Sequence, residues 1–261
     1  MSAAPPLAST RGVRRRAFLA LCQRDVWVTL RHEPVGFLAQ ALLQPLFFLF
    51  VFGRVLPEIG AARGAYGTQL MPGILALTLV LTSLQNTALP LVIEFSFTKE
   101  IEDRLLAPLT VRAVALQKLV IAAIRGMIAA LLILPGGVDL GGASWAGLAG
   151  VLVFGSLAGA AMGLVLGTAV PPNRISVAFA IVLTPLIFTG ASFYPWSALD
   201  SLRWFQVVTL FNPLTYVSEG TRAALTTTQH LGAGWTALGL GVSLVLFALA
   251  GMRGFERRAV N

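Results

Sequence analysis

Lysine and histidine occur twice each and cysteine once in 261 residues, and only 11% of the side chains are charged. Each scarcity removes a class of protein. About a quarter of the residues in an average soluble domain are charged, so a water-soluble globule does not fit. A single Cys22 excludes a disulfide framework, and His32 and His230 lie too far apart in the chain to build a metal cluster around it. The phosphate-cradling loop of an ATPase places a lysine directly after a glycine. Here Lys99 follows Thr98 and Lys118 follows Gln117, so the chain is expected to have no ATP site and no metal or cofactor of its own. Alternation of apolar and polar residues is also missing, which excludes a membrane β-barrel.

Apolar sequence, by contrast, is abundant. It makes up 56% of the chain, falls in long runs and gives a mean hydropathy of +0.80. A helical crossing takes about 20 such residues. Scanning on that length predicts an all-α integral membrane protein with six transmembrane helices, near 35–56, 69–93, 116–134, 143–170, 175–194 and 233–251. Arginine and lysine set the orientation. Fourteen fall in the N-terminal arm, the second and fourth connections and the tail, against four on the other side, namely Arg54, Arg63, Arg203 and Arg222. Both termini are therefore expected in the cytoplasm. The net charge of +8 needs no nucleic-acid partner, because the basic residues flank spans and form no soluble basic face.

Residues 1–34 read as a cytoplasmic arm and interfacial helix, and 35–261 as the six-span domain. Over 17–32, Phe18, Leu19, Cys22, Val26 and Leu30 share one apolar arc of a helix, with Arg24 and Arg31 opposite and Asp25 out of pattern. Such a helix lies along the membrane surface, with Phe18, Arg24, Trp27 and Arg31 as its candidate lipid contacts. The alternative is a first span that starts early behind a basic flank. Arg15-Arg16 imitates an export signal, but the apolar run after it ends at Cys22, too short for one.

Three constellations stand out. In the second connection, Glu100, Glu102 and Asp103 favour a helix start and Pro108 stops the helix near Leu106. Ile101 and Leu105, one turn apart, give it an apolar face beside Arg104. A short helix of this kind suits docking into a groove of a cytoplasmic partner, the alternative being an ordinary polar loop. Between the fifth and sixth spans, Pro195 and Pro213 break a long aromatic segment into short re-entrant or interfacial helices, with Asn212 and Tyr216 beside the second break and Glu219 and Arg222 spaced to pair. In the fourth span, Gly155, Gly159, Gly163 and Gly167 recur every four residues and stack on one helix face. Packing inside one subunit is the plainer reading of that ridge, and a contact with another subunit or a substrate is the alternative.

Arg125 is the one charge well inside a span. It either snorkels toward the cytoplasmic headgroups or pairs with Glu94, the alternative being a substrate contact. So few fixed charges leave a strongly polar cargo without partners. The expected cargo is hydrophobic or amphipathic and passes Phe48, Phe179 and Phe188. A water-filled path along Thr82, Gln85 and Asn86 is the alternative, for a polysaccharide or glycolipid.

Four blocks occur in order along these spans. They are Gln44-Pro45-Leu46-Phe47 with Phe52-Gly53; Met71-Pro72-Gly73; Glu100 to Lys118 with Leu105-Leu106-Ala107-Pro108-Leu109; and Gly190 to Pro195, followed by Asn212-Pro213-Leu214-Thr215-Tyr216 and Glu219-Gly220-Thr221-Arg222. In this arrangement the chain resembles the permease subunits of bacterial ABC exporters of the type-2 superfamily, particularly antibiotic and daunorubicin resistance permeases. The resemblance implies a bacterial cytoplasmic-membrane subunit that pairs with a second permease chain, identical or a sister. It implies separate ATPase subunits, holding ATP and Mg, that dock on the coupling helix at Glu100–Pro108, and it implies export. The short link at Pro171–Asn173 leaves little room for a second cytoplasmic contact. A stand-alone secondary transporter and a membrane scaffold are the other readings.

Overall fold

The computed structural model describes residues 10–32, 34–60, 66–98, 110–136 and 140–260, and every regular element among them is helical. Helix α1 covers Thr10–His32 and α2 covers Pro34–Phe50, which continues through a π-helical turn, Val51–Val55, into Leu56–Glu58. Helix α3 covers Tyr66–Ile93 and ends in a second π turn, Glu94–Thr98. Helices α4 (Val111–Ile133), α5 (Trp145–Ala169) and α6 (Ile175–Thr189) follow, then the short α7 (Arg203–Thr209) and α8 (Pro213–Leu225), and finally α9 (Ala233–Val260).

Among the described residues, five stretches are long and apolar enough to cross a membrane: Leu70–Ser96, Val111–Ile133, Trp145–Ala169, Pro172–Thr189 and Ala233–Ala259. The segment expected as a first crossing is occupied by α2 and its π turn, and α2 alone has 17 residues. The fifth expected span ends earlier than composition suggested. Helix α6 stops at Thr189 and the chain turns at Gly190 and Ala191, whose φ of 51° ends the helical path.

Local chemistry sets several of the ends. Thr110 accepts from Ala113 N at 3.3 Å and caps α4, so the helix starts at Val111 and Lys118 lies two turns inside it. Ser144 caps α5 through Gly147 N, and Asn212 caps α8 through Leu214 N, with Pro213 in the first turn, where its missing N–H costs nothing.

Helix α3 sits at the centre and is buried from Leu70 to Leu84, with α4, α5 and α8 packed around it and α9 beyond α5. Its buried hydroxyls turn back on their own helix: Thr78 donates to Ile74 O, Ser83 to Leu79 O and Thr87 to Ser83 O. These bonds satisfy polar groups that lipid or an apolar core would otherwise leave unpaired. The four glycines of α5 all face α3. A Cβ at Gly159 would come 2.7 Å from Val80 O, one at Gly163 2.3 Å from Leu84 O, and one at Gly167 3.0 Å from Ala88 O, while at Gly155 it meets the ends of Leu79 and Val217. The ridge thus brings two backbones together within one chain, which is what small residues permit. Helix α6 is the opposite case, for Leu186 is its single buried side chain.

Two expectations change. Arg125 does not pair with Glu94. Its Nη1 donates to Asn86 Oδ1 at 3.1 Å, and Glu94 takes Lys118 instead, two turns inside α4. Helix α1 begins at Thr10 rather than near 17, and its apolar arc is only partly covered, with Phe18, Cys22 and Val26 half-buried but Leu19 exposed.

Candidate functional site

Three regions carry the residues singled out in the sequence. The first is the membrane side shared by the ends of α3, α5 and α9 and the start of α4. Glu100, Ile101, Glu102, Asp103, Arg104, Leu105 and Pro108 lie outside the described residues, but both flanks of that segment are described. On one side the π turn inserts an extra residue before Thr98, and on the other Thr110 opens α4. The buried pair Glu94–Lys118 joins the two flanks, and Glu94 Oε2 has no hydrogen-bond partner among the described residues. Arg112 pairs with Glu256 of α9. Arg258 donates through Nη1 to the carbonyls of Gly167 and Val170 at 2.9 and 3.1 Å, and through Nη2 to Ser96 Oγ at 3.1 Å. Helix α1 joins here as well, for Gln117 Nε2 donates to Asp25 Oδ2 at 2.8 Å. Beside Asp25, burial and that carboxylate raise the pKa of the Cys22 thiol. Of the expected lipid contacts, Phe18 is half-buried, Arg24 and Trp27 are exposed, and the Arg31 guanidinium lies 5.2 Å from the Trp27 ring centre.

At the other end of the bundle, α8 is buried almost throughout, including Glu219 and Arg222. Glu219 Oε1 accepts from Arg222 and from Trp196 N at 3.0 Å, and its Oε2 accepts from Leu231 N at 2.7 Å. One carboxylate thereby joins the loop after Pro195, its own helix and the chain leading into α9. Arg222 also reaches Ala191 O. Burial lowers the Arg222 pKa, with the charge of Glu219 acting against the shift. Asn212 Nδ2 donates to Leu186 O at 2.8 Å and to Thr189 Oγ1, tying α8 to the end of α6. Tyr216 donates to Leu210 O at 2.7 Å, and its desolvated phenol has a raised pKa. The loop lies so close to α3 that a Cβ on Gly73 would fall 1.7 Å from Ser192 O. Hydropathy gave no sign of this knot, because most of its acceptor and donor partners are backbone groups.

The third region is the outer edge of α2 and α6. Phe193 gathers the rings of Phe48, Phe52 and Phe188 at centroid distances of 5.5, 6.0 and 6.3 Å. Thr82 and Gln85 line a cleft between α2 and α3 with Gln44 and Phe48, but its volume is about 20 Å³, room for a water molecule and no cargo. Asn86 is engaged by Arg125, and Phe179 packs against the main core instead of joining the ring cluster. Away from this edge, α5, α8 and α9 border a groove of about 670 Å³ with glycine, alanine and aliphatic walls.

This organisation, a helical bundle with a buried hydrogen-bonded knot at one end and a polar clasp at the other, has a counterpart among known sequences. Residues 16–226 match the family described as ABC-2 type transporter. The chain belongs to that family. Among relatives, it is 26% identical over 258 residues to ycf38 of Cyanophora paradoxa, which carries the name of a transport permease, with 89% of this chain and 84% of the relative covered. The ABC-2 match runs from within α1 to the end of α8, so it contains the segment 99–109, the glycine seam and the Glu219 knot. An ABC-2 membrane component is a multi-pass, non-enzymatic transport subunit whose family works with ATPase subunits.

Proposed function

We propose that this chain forms half of the pathway of an ATP-driven exporter in a bacterial cytoplasmic membrane, moving a hydrophobic or amphipathic molecule out of the cytoplasm or inner leaflet. A second permease chain, identical or a sister, completes the path. Separate ATPases holding ATP and Mg dock at Glu100–Pro108. In this reading α2 with its π turn supplies a sixth crossing, α1 lies in the interface, residues 190–232 form the external re-entrant region, and both termini are cytoplasmic.

Support comes chiefly from one observation. Helix α6 buries only Leu186 within the chain, α2 exposes several large apolar side chains, and the cleft beside α2 is too small for cargo. Leu43, Phe47 and Phe50 of α2 and Val177, Ile181 and Phe188 of α6 are exposed, and Phe193 holds the two helices together at one end. A second copy against this edge encloses an apolar passage that neither copy contains alone, and such walls contact apolar bodies with little desolvation cost.

The test is ATP hydrolysis by the complex reconstituted with its ATPase, challenged with amphipathic drugs, lipids and undecaprenyl-linked sugars. Stimulation by the amphipathic set is expected, together with uncoupling when Glu102 and Arg104 are exchanged for each other. Stimulation by the sugar-linked compounds alone, graded by sugar length, overturns the cargo assignment in favour of glycolipid export. Flux driven by a proton gradient without any ATPase overturns the exporter reading itself.

Orientation is tested by single cysteines on a Cys22→Ser background. Asp103→Cys is expected to be protected from an impermeant maleimide in whole cells, and Ser201→Cys to be labelled. The reverse pattern inverts the topology.

A further inference from the structure

The last turns of α9 make more long-range bonds within the chain than a basic tail beside a membrane needs. Positive charges at that position act on lipid and on insertion through charge alone, without fixed geometry. Arg258 instead has a fixed fork. One nitrogen points at the carbonyls that end α5, which have no partner inside their own helix, and the other donates to Ser96 in the π turn. The guanidinium also lies 5.0 Å from the Phe95 ring centre, and Phe95 packs edge-on against the buried Phe255. A π turn is a common place for an α-helix to carry a functional irregularity, and this one leads directly into residues 99–109. The other flank of that segment is held to the same helix by Arg112–Glu256.

We propose that Arg258 is the positioning residue that ties the entry of the docking segment to the C-terminal end of α5, so that displacement of residues 99–109 by an ATPase reaches the transmembrane bundle through α9. The inference rests on the exporter reading for what pushes the segment, but its structural part concerns the permease alone. A planar fork can bridge α5 and the π turn simultaneously, whereas a lysine ammonium cannot reproduce that geometry.

Two measurements test it. In the purified permease, spin labels at Ile93→Cys and Ala169→Cys on the Cys22→Ser background report the separation of the π turn from the α5 end. A narrow distance distribution is expected, broadened in R258Q and in S96A, partly restored in R258K, and unchanged in R257Q, which alters an exposed neighbour. In the reconstituted complex, R258Q is expected to retain ATPase binding while transport per ATP falls about tenfold, the scale of a lost charged hydrogen-bond network. Should R258Q fail to fold, R258K and S96A carry the same comparison. An unchanged distance distribution in these variants overturns the proposal, as does coupling in R258Q equal to that in R257Q. If the wild-type permease engages no ATPase at all, the exporter reading falls, and the spin-label result still decides whether Arg258 joins the π turn to α5.

Discussion

Replacing Glu219 with alanine is expected to cost on the order of 3–5 kcal/mol of stability, the penalty for leaving one partner of a buried ion pair alone. Arg222→Ala should cost a similar amount. The informative variant removes both. Exchanging a buried ion pair for apolar residues is often nearly neutral, yet Glu219→Leu with Arg222→Leu is expected to stay destabilised. Trp196 N and Leu231 N both donate to the Glu219 carboxylate and would lose their acceptor, at about 1–3 kcal/mol for the buried Leu231 N and less for the part-buried Trp196 N. Thermal unfolding of the purified protein, with limited proteolysis at 195–200 and 226–232, measures the effect. A double variant that melts with the wild type would reduce the knot to a simple charge pair.

The second large effect belongs to the glycines, and its order is as specific as its size. Gly73→Ala and Gly163→Ala place a methyl group against backbone oxygens of Ser192 and Leu84, which cannot rotate aside, and both are expected to abolish accumulation of folded protein. Gly159→Ala meets Val80 O at a slightly longer distance and should follow. Gly155→Ala meets only the tips of Leu79 and Val217, so side-chain adjustment should keep it functional. Gly163→Leu should be far worse than Leu157→Ala, since Leu157 is half-buried and its loss leaves the two backbones where they were. Fluorescence-detected size exclusion of tagged variants ranks them directly. Equal tolerance across the four α5 positions would mean that the ridge is compositional.

These two regions differ sharply in how visible they were beforehand. Long apolar runs and a four-residue glycine repeat are properties of the sequence itself, so most crossings and the small-residue face could be read without coordinates. Glu219 and Arg222 could be paired by spacing, but the two backbone donors that complete the knot come from positions 196 and 231, which no helical period connects. Arg258 and Arg112 counted only as charges on the basic side of the membrane. Their partners are helix-end carbonyls, a serine hydroxyl and Glu256, set by how α5 and α9 cross. Lys118 counts among the charges of the second connection, whereas the Thr110 cap starts α4 at Val111 and leaves Lys118 two turns inside it, paired with Glu94.

The seam between α3 and α5 has a further consequence, in entropy. Two helices already formed in a bilayer gain little from the hydrophobic effect when they meet, because lipid tails are as apolar as the protein. Association then depends on dense contact and on how little freedom is surrendered to achieve it. On the α5 side that contact is made by Gly155, Gly159, Gly163 and Gly167, all buried and none with a rotamer to freeze. The usual backbone cost of glycine is incurred when the helix forms, before the partner arrives. Helix α5 therefore enters the central pair with almost no side-chain ordering of its own, and the side chains that must order at the seam belong to α3, among them Leu79, Ser83, Thr87 and Leu91.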